Sequence, residues 1–142
     1  MKSNDWASIK HFSATEAWGD VARISPGLVR TLDQYRDFID TKIIITCGTQ
    51  GAHTEGSQHY LGTAVDVVFP DISKKDLFDL FIAALRFPFN GVGMYPHWKP
   101  YGGLHLDVRS APSKALWLAR LDGEKQVYID FKLNELKKDK VI

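Results

Sequence analysis

The chain has 142 residues, of which 44% are hydrophobic and 25% charged, and its formal net charge is +1. This length and composition fit one domain over residues 1–142, with a core from about residue 10 to about 130. The near-neutral charge argues against a nucleic-acid partner, and no apolar run approaches the roughly 18 residues of a membrane-spanning helix. A single cysteine, Cys47, excludes an internal disulfide and a zinc site built from several thiolates.

The N-terminal part of the sequence shows two helix starts. Ser13 and Glu16 have the spacing of a capping box, which predicts a short helix from residue 13. Ser25 followed by Pro26 predicts the start of a second helix over residues 25–40, because serine caps helices and proline favours the first helical position. The apolar residues of this segment recur at helical spacing.

The remaining elements follow from the hydrophobic pattern. Short β-rich apolar runs predict strands, and an apolar stripe at helical spacing predicts an amphipathic helix. In chain order they are a strand at 42–48, a glycine-rich functional loop at 48–62, a strand at 63–69, a helix at 73–87, strands at 91–95 and 103–109, weaker strands at 115–120 and 126–131, and a polar helix at 132–140. Together these elements predict an α+β fold, a single domain with a mainly antiparallel sheet flanked by helices.

Two of the predicted strands carry polar residues that need an explanation. Alternation along residues 103–109 puts three leucine and valine side chains on one face. The other face carries His105, Asp107 and Arg109. A solvated outer face would give the same pattern. However, Asp66 interrupts the apolar strand 63–69, where an ionised carboxylate is costly without a partner, and His59 stands just before it.

A bound cation is the simplest single cause for these residues. Two imidazoles and one carboxylate are a common ligand set of a catalytic zinc, which leaves a fourth position for water. The same composition describes a non-haem iron oxygenase, which is the less favoured alternative. In that class the His-x-Asp pair precedes the distal histidine within an eight-stranded jelly roll, whereas here His59 comes first.

Two segments resemble the signatures of one enzyme family. Residues 57–66, SQHYLGTAVD, resemble the Ser-x-His-x-x-Gly-x-Ala-x-Asp signature of the zinc D-alanyl-D-alanine peptidase family. Residues 91–109, which include GVGMYP and GGLHLDVR, resemble its second signature, a Gly-x-Gly-x-Tyr strand followed by a strand with His-x-Asp. The resemblance covers roughly residues 11–118 and implies the fold that this family shares with the hedgehog signalling domain. It also implies one zinc ion per chain, with the ligands His59, Asp66 and His105.

The resemblance further implies a reaction and a partner. The family hydrolyses peptide bonds next to D-amino acids in bacterial cell walls, and its members include carboxypeptidases, endopeptidases and phage endolysins. The expected partner is therefore a peptidoglycan stem peptide, and we expect a monomer. Residues 1–12 lack the apolar segment of a secretory signal. We therefore expect cytosolic synthesis with action at the cell wall, for which phage-type delivery is one route.

The catalytic base is less clearly marked. Many family members have an acidic residue three positions before the last metal histidine, and Gly102 stands there in this chain. Asp107 is the residue that we favour as general base, because it shares a strand face with His105. The alternative is that Asp107 orients an imidazole. A metal-binding domain of the same fold without hydrolytic activity is a further alternative.

Five residues are predicted to contact the substrate. The loops 48–62 and 95–102 each lead into a ligand-bearing strand, so we expect them to flank the metal. The predicted contact residues are Gln50, Ser57, Tyr95, Trp98 and Arg109. Many family members carry an arginine where Gln50 stands, to hold a substrate carboxylate. The glutamine therefore favours an endopeptidase over a carboxypeptidase, unless Arg109 replaces that arginine.

Overall fold

Six strands form one mixed sheet in the computed structural model, which describes residues 1–73 and 76–131. The strands are β1 (Ile44–Cys47), β2 (Ala64–Val68), β3 (Gly91–Tyr95), β4 (Gly103–Asp107), β5 (Ala115–Asp122) and β6 (Lys125–Phe131). Their spatial order is β1-β2-β4-β3-β5-β6, and only β3 and β5 pair in parallel. The described residues form a single α+β domain, so the predicted fold class and the mainly antiparallel sheet are confirmed.

Two α-helices and two 3-10 helices accompany the sheet in the described residues. They are α1 (Pro26–Ile39), α2 (Leu77–Ala84), and the 3-10 helices Ser3–Ser8 and Val21–Arg23. The predicted start of α1 is confirmed, because the Ser25 side chain accepts a hydrogen bond from the Leu28 backbone N–H. None of the described helices is long and apolar enough to cross a membrane. The helix predicted at 132–140 lies outside the described residues.

The helix predicted at 73–87 ends earlier than its hydrophobic pattern indicates, and residues 74 and 75 of the predicted span lie outside the described residues. It begins at Leu77 and ends at Ala84. The next three residues continue as tight turns with hydrogen bonds between residues three apart, for example from the Phe87 N–H to the Ala84 carbonyl. Such tightening is common at the C-terminus of a helix. The apolar pattern therefore continues past Ala84, where the α-helical geometry ends.

The short helix predicted at residue 13 is wrong, because turns and bends occupy this segment. The capping contact itself is present, since Glu16 accepts a hydrogen bond of 2.7 Å from the Ser13 N–H. The Ser13 carbonyl, however, accepts the indole N–H of Trp18 at 2.8 Å. Trp18 is completely buried, so the packing of this large side chain determines the path of the chain here.

The core lies between the α-helices and one face of the sheet. Alternate residues of the central strands are fully buried there, together with residues of both helices: Leu28, Leu32, Val65, Val67, Phe81, Leu104 and Leu106. The expected alternation in residues 103–109 is therefore confirmed for the apolar face. The opposite face carries Asp66, His105 and Asp107, and it is largely shielded from solvent, since His105 and Asp107 are also buried.

A β-bulge in β1 determines which face of the sheet Cys47 joins. Ile45 pairs with Val67 on the core side, but the register shifts after it, so that Cys47 pairs with Asp66. Directly paired residues of antiparallel strands project to the same face, and a bulge redirects the side chains that follow it. The Cys47 side chain therefore lies on the same face as Asp66 instead of pointing into the core.

Candidate metal centre

Three side chains converge on the polar face of the sheet. Nε2 of His59 lies 3.2 Å from Oδ1 of Asp66, and Nδ1 of His105 lies 3.3 Å from the same oxygen. Asp66 and His105 are direct cross-strand partners in β2 and β4, and His59 comes from the loop that leads into β2. The ligand atoms of the three residues all lie within 4.8 Å of one another. The structure thus brings together the three residues predicted as metal ligands.

The separations between these atoms fit a zinc ion. With zinc–nitrogen and zinc–oxygen bonds of about 2.0–2.2 Å, two ligand atoms of a tetrahedral site lie about 3.4 Å apart. The observed separations of 3.2 and 3.3 Å are close to that value. The donor set, two imidazoles and a carboxylate, also suits a catalytic zinc with one open position.

The second ring nitrogen of each histidine is held by an acceptor. Nδ1 of His59 donates to the Gly48 carbonyl oxygen at 2.9 Å, and Nε2 of His105 donates to Oδ2 of Asp107 at 2.6 Å. Acceptors of this kind fix the tautomer and the orientation of a metal-binding imidazole. In its neutral form each histidine then presents an unprotonated nitrogen to Asp66, as a metal ligand must, and in its protonated form it donates an N–H to that carboxylate.

Asp107 lies on the other side of the His105 ring from Asp66. It is completely buried, and the Arg109 guanidinium donates to both of its oxygens, from Nε at 2.8 Å and from Nη2 at 2.7 Å. Burial alone would raise the pKa of Asp107, but the hydrogen bonds from Arg109 and His105 outweigh it and hold the pKa well below its usual range. The ionised carboxylate of Asp107 is therefore hydrogen-bonded to both His105 and Arg109.

The electrostatics of the centre favour a positive charge between the ligands. Burial tends to raise the pKa of Asp66, yet the hydrogen bonds from His105 and His59 lower it overall. Burial tends to lower the pKa of His105, yet its bonds to Asp107 and Asp66 raise it overall. Both shifts indicate an environment in which two carboxylates stabilise a cation, which is what a metal site requires.

Two glycines of β3 make room for the residues around the centre. In the register, Gly91 lies opposite Asp107 and Gly93 lies opposite His105. A Cβ atom at Gly91 would overlap the Asp107 carboxylate, and one at Gly93 would overlap the indole of Trp117. The Trp117 ring lies 5.0 Å from the His105 ring, so it covers the histidine from the β5 side. The Gly-x-Gly pattern of β3 is therefore explained by close packing around the site.

An open cavity of about 690 Å³ gives access to the centre. All three candidate ligands line it, as do three of the predicted substrate residues: Ser57, Tyr95 and Arg109. Ser57 also accepts a hydrogen bond of 3.2 Å from the His59 backbone N–H through its Oγ, so it supports the ligand-bearing loop. The loop 48–62 therefore lies at the centre as expected, and the loop 95–102 reaches the cavity through Tyr95.

Gln50 and Trp98, the other two predicted substrate residues, lie outside the cavity lining. The Gln50 side chain donates to the Ala17 carbonyl at 2.9 Å and accepts from the Gly48 N–H at 2.8 Å, so its amide braces the loop. Trp98 stacks on Tyr95 with ring centroids 4.0 Å apart and nearly parallel planes. It therefore supports a residue of the cavity wall instead of forming the wall.

Sequence reasoning missed the part of the cavity that β6 supplies. Its lining residues are Gln126, Tyr128 and Asp130, which alternate along the strand. The alternation of side chains is visible in the sequence, but the sequence alone does not indicate which face of β6 points to the cavity. That information comes from the pairing of Asp130 with Trp117, the residue that covers His105.

Comparisons with family models and with curated proteins identify no relative of the chain. No protein-family model matches the chain, and no curated protein matches it significantly. A functional assignment therefore depends on the geometry of the centre and on the two signature-like segments.

Proposed function

We propose that the chain is a zinc-dependent metallopeptidase that hydrolyses peptide bonds next to D-amino acids in bacterial peptidoglycan. The observation that carries the proposal is the convergence of Nε2 of His59, Oδ1 of Asp66 and Nδ1 of His105 at the wall of an open cavity. A fold of the hedgehog and D-alanyl-D-alanine peptidase type is part of the proposal. It is supported by the position of the signature-like segments, which supply the ligand-bearing strands β2 and β4 and the glycines of β3.

The metal would be held by the three converging side chains, which leave the cavity side for water and substrate. When bound there, zinc supplies Lewis acidity and, by lowering the pKa of water to about 7, a nucleophile at neutral pH. The chain's own contribution is to hold both histidines in one orientation through Gly48 and Asp107. Such fixed geometry removes much of the entropic cost of assembling the reacting groups.

A carboxylate other than Asp107 is the better proton acceptor. A general base must reach the proton that it takes, either directly or through one water. Asp107 already accepts hydrogen bonds from His105 and Arg109 and lies on the side of the His105 ring that faces away from Asp66. Among the described residues that line the cavity, Glu55 on the loop and Asp130 on β6 also carry carboxylates. We assign proton transfer to this pair and the orientation of the imidazole to Asp107.

Tyr95 is suited to stabilise the negative charge that develops on the scissile carbonyl oxygen. Its Oη accepts a hydrogen bond from the Trp117 indole at 3.0 Å, so its own O–H remains able to donate into the cavity. Burial raises the pKa of Tyr95 to about 12, which keeps the phenol protonated at neutral pH. A donor aimed at a developing oxyanion typically contributes about 10²–10³-fold to the rate.

The cavity wall favours cleavage within a peptide over removal of a C-terminal residue. Gln50 is turned to the backbone of the loop, and the Arg109 guanidinium already holds Asp107 with two of its nitrogens. Because both side chains are already hydrogen-bonded within the protein, neither Gln50 nor Arg109 is available to hold a substrate carboxylate in the way that the family's arginine does. This arrangement supports the endopeptidase form of the proposal.

One observation favours a second candidate function, a metal-binding domain without hydrolytic activity. Asp107, the carboxylate two residues after the candidate ligand His105, is hydrogen-bonded to His105 and Arg109. Gly102 stands where many members of the family that the chain resembles have an acidic residue. A site of this kind would bind zinc but would lack an efficient base.

Digestion of purified peptidoglycan separates the two functions. The zinc-loaded protein is incubated with peptidoglycan, and the released peptides are identified by mass spectrometry. The wild type should release fragments that end at a D-amino acid, whereas His59→Ala should not. His11→Ala is the matched control, because His11 pairs with Asp37 on the surface, away from the cavity. A wild type that carries full zinc and releases no peptide would support the non-hydrolytic alternative.

A further inference from the structure

A second group of metal-ligating side chains shares one residue with the candidate metal centre, and its other two members have no part in the proposed reaction. It consists of Cys47, His53 and His59, whose ligand atoms lie within 4.8 Å of one another. Sγ of Cys47 is 3.4 Å from Nε2 of His53, and the His53 ring stacks on the His59 ring with centroids 4.0 Å apart and planes 10° apart. His59 therefore belongs to both groups.

The fold places each member of this group by a specific contact. The β-bulge in β1 turns Cys47 to the site face, opposite Asp66. Tyr60 fixes His53, because its hydroxyl accepts from the His53 N–H at 2.7 Å and donates to the His53 carbonyl at 3.1 Å. His53 and His59 both line the cavity, so an ion in solution has a route to the group.

The distances fit a metal ion with one sulfur and two nitrogen ligands. With a zinc–sulfur bond of about 2.3 Å and a zinc–nitrogen bond of about 2.0–2.1 Å, the two ligand atoms in a tetrahedral site lie about 3.6 Å apart. The observed separation between Cys47 and His53 is 3.4 Å. A thiolate prefers softer ions than a carboxylate does, so the two groups differ in the ions that they select.

We propose that Cys47, His53 and His59 form a second metal position, that it takes a thiophilic divalent ion such as Cd²⁺, and that it competes with the first position for His59. A neutral imidazole offers one unprotonated nitrogen, so His59 serves one ion at a time. Binding releases the Cys47 thiol proton to water, and it replaces the hydrogen bonds that Sγ of Cys47 and Nε2 of His53 donate to the Gln50 carbonyl, so that the His53 ring proton moves to Nδ1. An ion in the second position thereby takes His59 away from Asp66 and His105 and empties the first position.

The first test is a titration of the metal-free protein with Cd²⁺ alone. Cadmium–thiolate bonding is followed by its ultraviolet charge-transfer absorption, and stoichiometry is measured by equilibrium dialysis. We expect one Cd²⁺ per chain and a clear thiolate band in the wild type and in Asp66→Ala. The band should be lost in Cys47→Ser, and Cd²⁺ affinity should fall in His53→Gln. A folded wild type without the band, or His53→Gln with unchanged affinity, would overturn the second position.

The second test addresses the competition. Protein loaded with one Zn²⁺ is challenged with Cd²⁺, and the released Zn²⁺ is measured with a chromogenic chelator. The wild type should release zinc in step with growth of the thiolate band, whereas Cys47→Ser should release much less at the same Cd²⁺ concentration. Simultaneous binding of both ions by the wild type would refute the sharing of His59. Neither readout depends on hydrolysis, so these results are distinct from a failure of the peptidase proposal.

Discussion

His105 and Asp107 are joined by a 2.6 Å hydrogen bond from Nε2 to Oδ2, along one face of the same strand. The contact follows from the spacing, because alternate residues of a strand share a face. Arg109, the next residue on that face, completes the arrangement by holding both oxygens of the carboxylate. Three side chains in a row thus fix the direction in which Nδ1 of His105 faces the candidate metal centre.

The Asp107→Asn substitution tests this positioning role. The amide lacks the negative charge that holds the His105 N–H, so we expect zinc affinity to fall by about 10–100-fold. Affinity is measured by competition with a chelator of known strength, and Asp130→Asn serves as a control that should keep its zinc. If Asp107→Asn instead retains wild-type zinc affinity while hydrolysis falls by about 10²-fold or more, Asp107 is the base.

Gly91→Ala should disturb the centre through packing alone. The added methyl group overlaps the Asp107 carboxylate, so we expect a loss of about 1–3 kcal/mol in the free energy of unfolding, together with weaker zinc binding. Both are measured, by denaturant titration and by chelator competition. The control is Gly27→Ala in the first turn of α1, where the nearest atom to a new Cβ is Ser25 Oγ at 3.5 Å. That variant should be neutral or more stable, and equal effects of the two substitutions would contradict the packing argument.

Tyr35→Phe should lower stability without affecting the centre. The Tyr35 hydroxyl donates to the Leu80 carbonyl at 2.7 Å, which ties α1 to α2 inside the core. Its loss should cost about 1 kcal/mol of unfolding free energy, with zinc affinity unchanged. Tyr101→Phe, at a position that is 42% exposed, should change neither quantity. A decrease in zinc affinity for Tyr35→Phe would show that the core and the centre are more tightly coupled than the contacts indicate.

Tyr95→Phe should separate catalysis from metal binding. If the phenol donates to the scissile carbonyl oxygen, hydrolysis of peptidoglycan fragments should fall by about 10²–10³-fold, while zinc affinity stays at the wild-type value. The phenyl ring preserves the stacking on Trp98, and the zinc measurement also checks that losing the acceptor of the Trp117 indole N–H leaves the neighbouring His105 in place. Unchanged hydrolysis would exclude the hydroxyl from the reaction and leave Tyr95 as a wall residue.

The sequence was sufficient for the parts of the site that follow from strand periodicity and the signature-like segments. Alternation in residues 103–109 predicted that His105 and Asp107 share a face, and the structure places Asp66 directly across from His105. The helix start at Ser25 was equally clear, because capping depends on neighbouring residues. These features are local or depend on one register between two strands.

The features that the sequence did not reveal depend on distant contacts. The turn at residue 13 results from burial of Trp18, which overrides a valid capping signal. Cys47 reads as a core residue of an apolar strand, and only the bulge opposite β2 turns it to the site. Gln50 reads as a loop residue able to meet a ligand, yet its amide bonds to the backbone of Ala17 and Gly48. None of these contacts has a signature in the neighbouring sequence.

The hairpin of β5 and β6 gives the chain a region that can diversify independently. It adjoins the rest of the sheet through the parallel pairing of β5 with β3, and β6 supplies Gln126, Tyr128 and Asp130 to the cavity wall. The candidate ligands all lie elsewhere, on β2, on β4 and on the loop before β2. Mutations at Gln126 and Tyr128 of β6 can therefore alter which molecules the cavity accepts while the three candidate ligands keep their contacts. For protein engineering, β6 is therefore a place to change selectivity without altering the candidate ligands or Trp117, the β5 residue that covers His105.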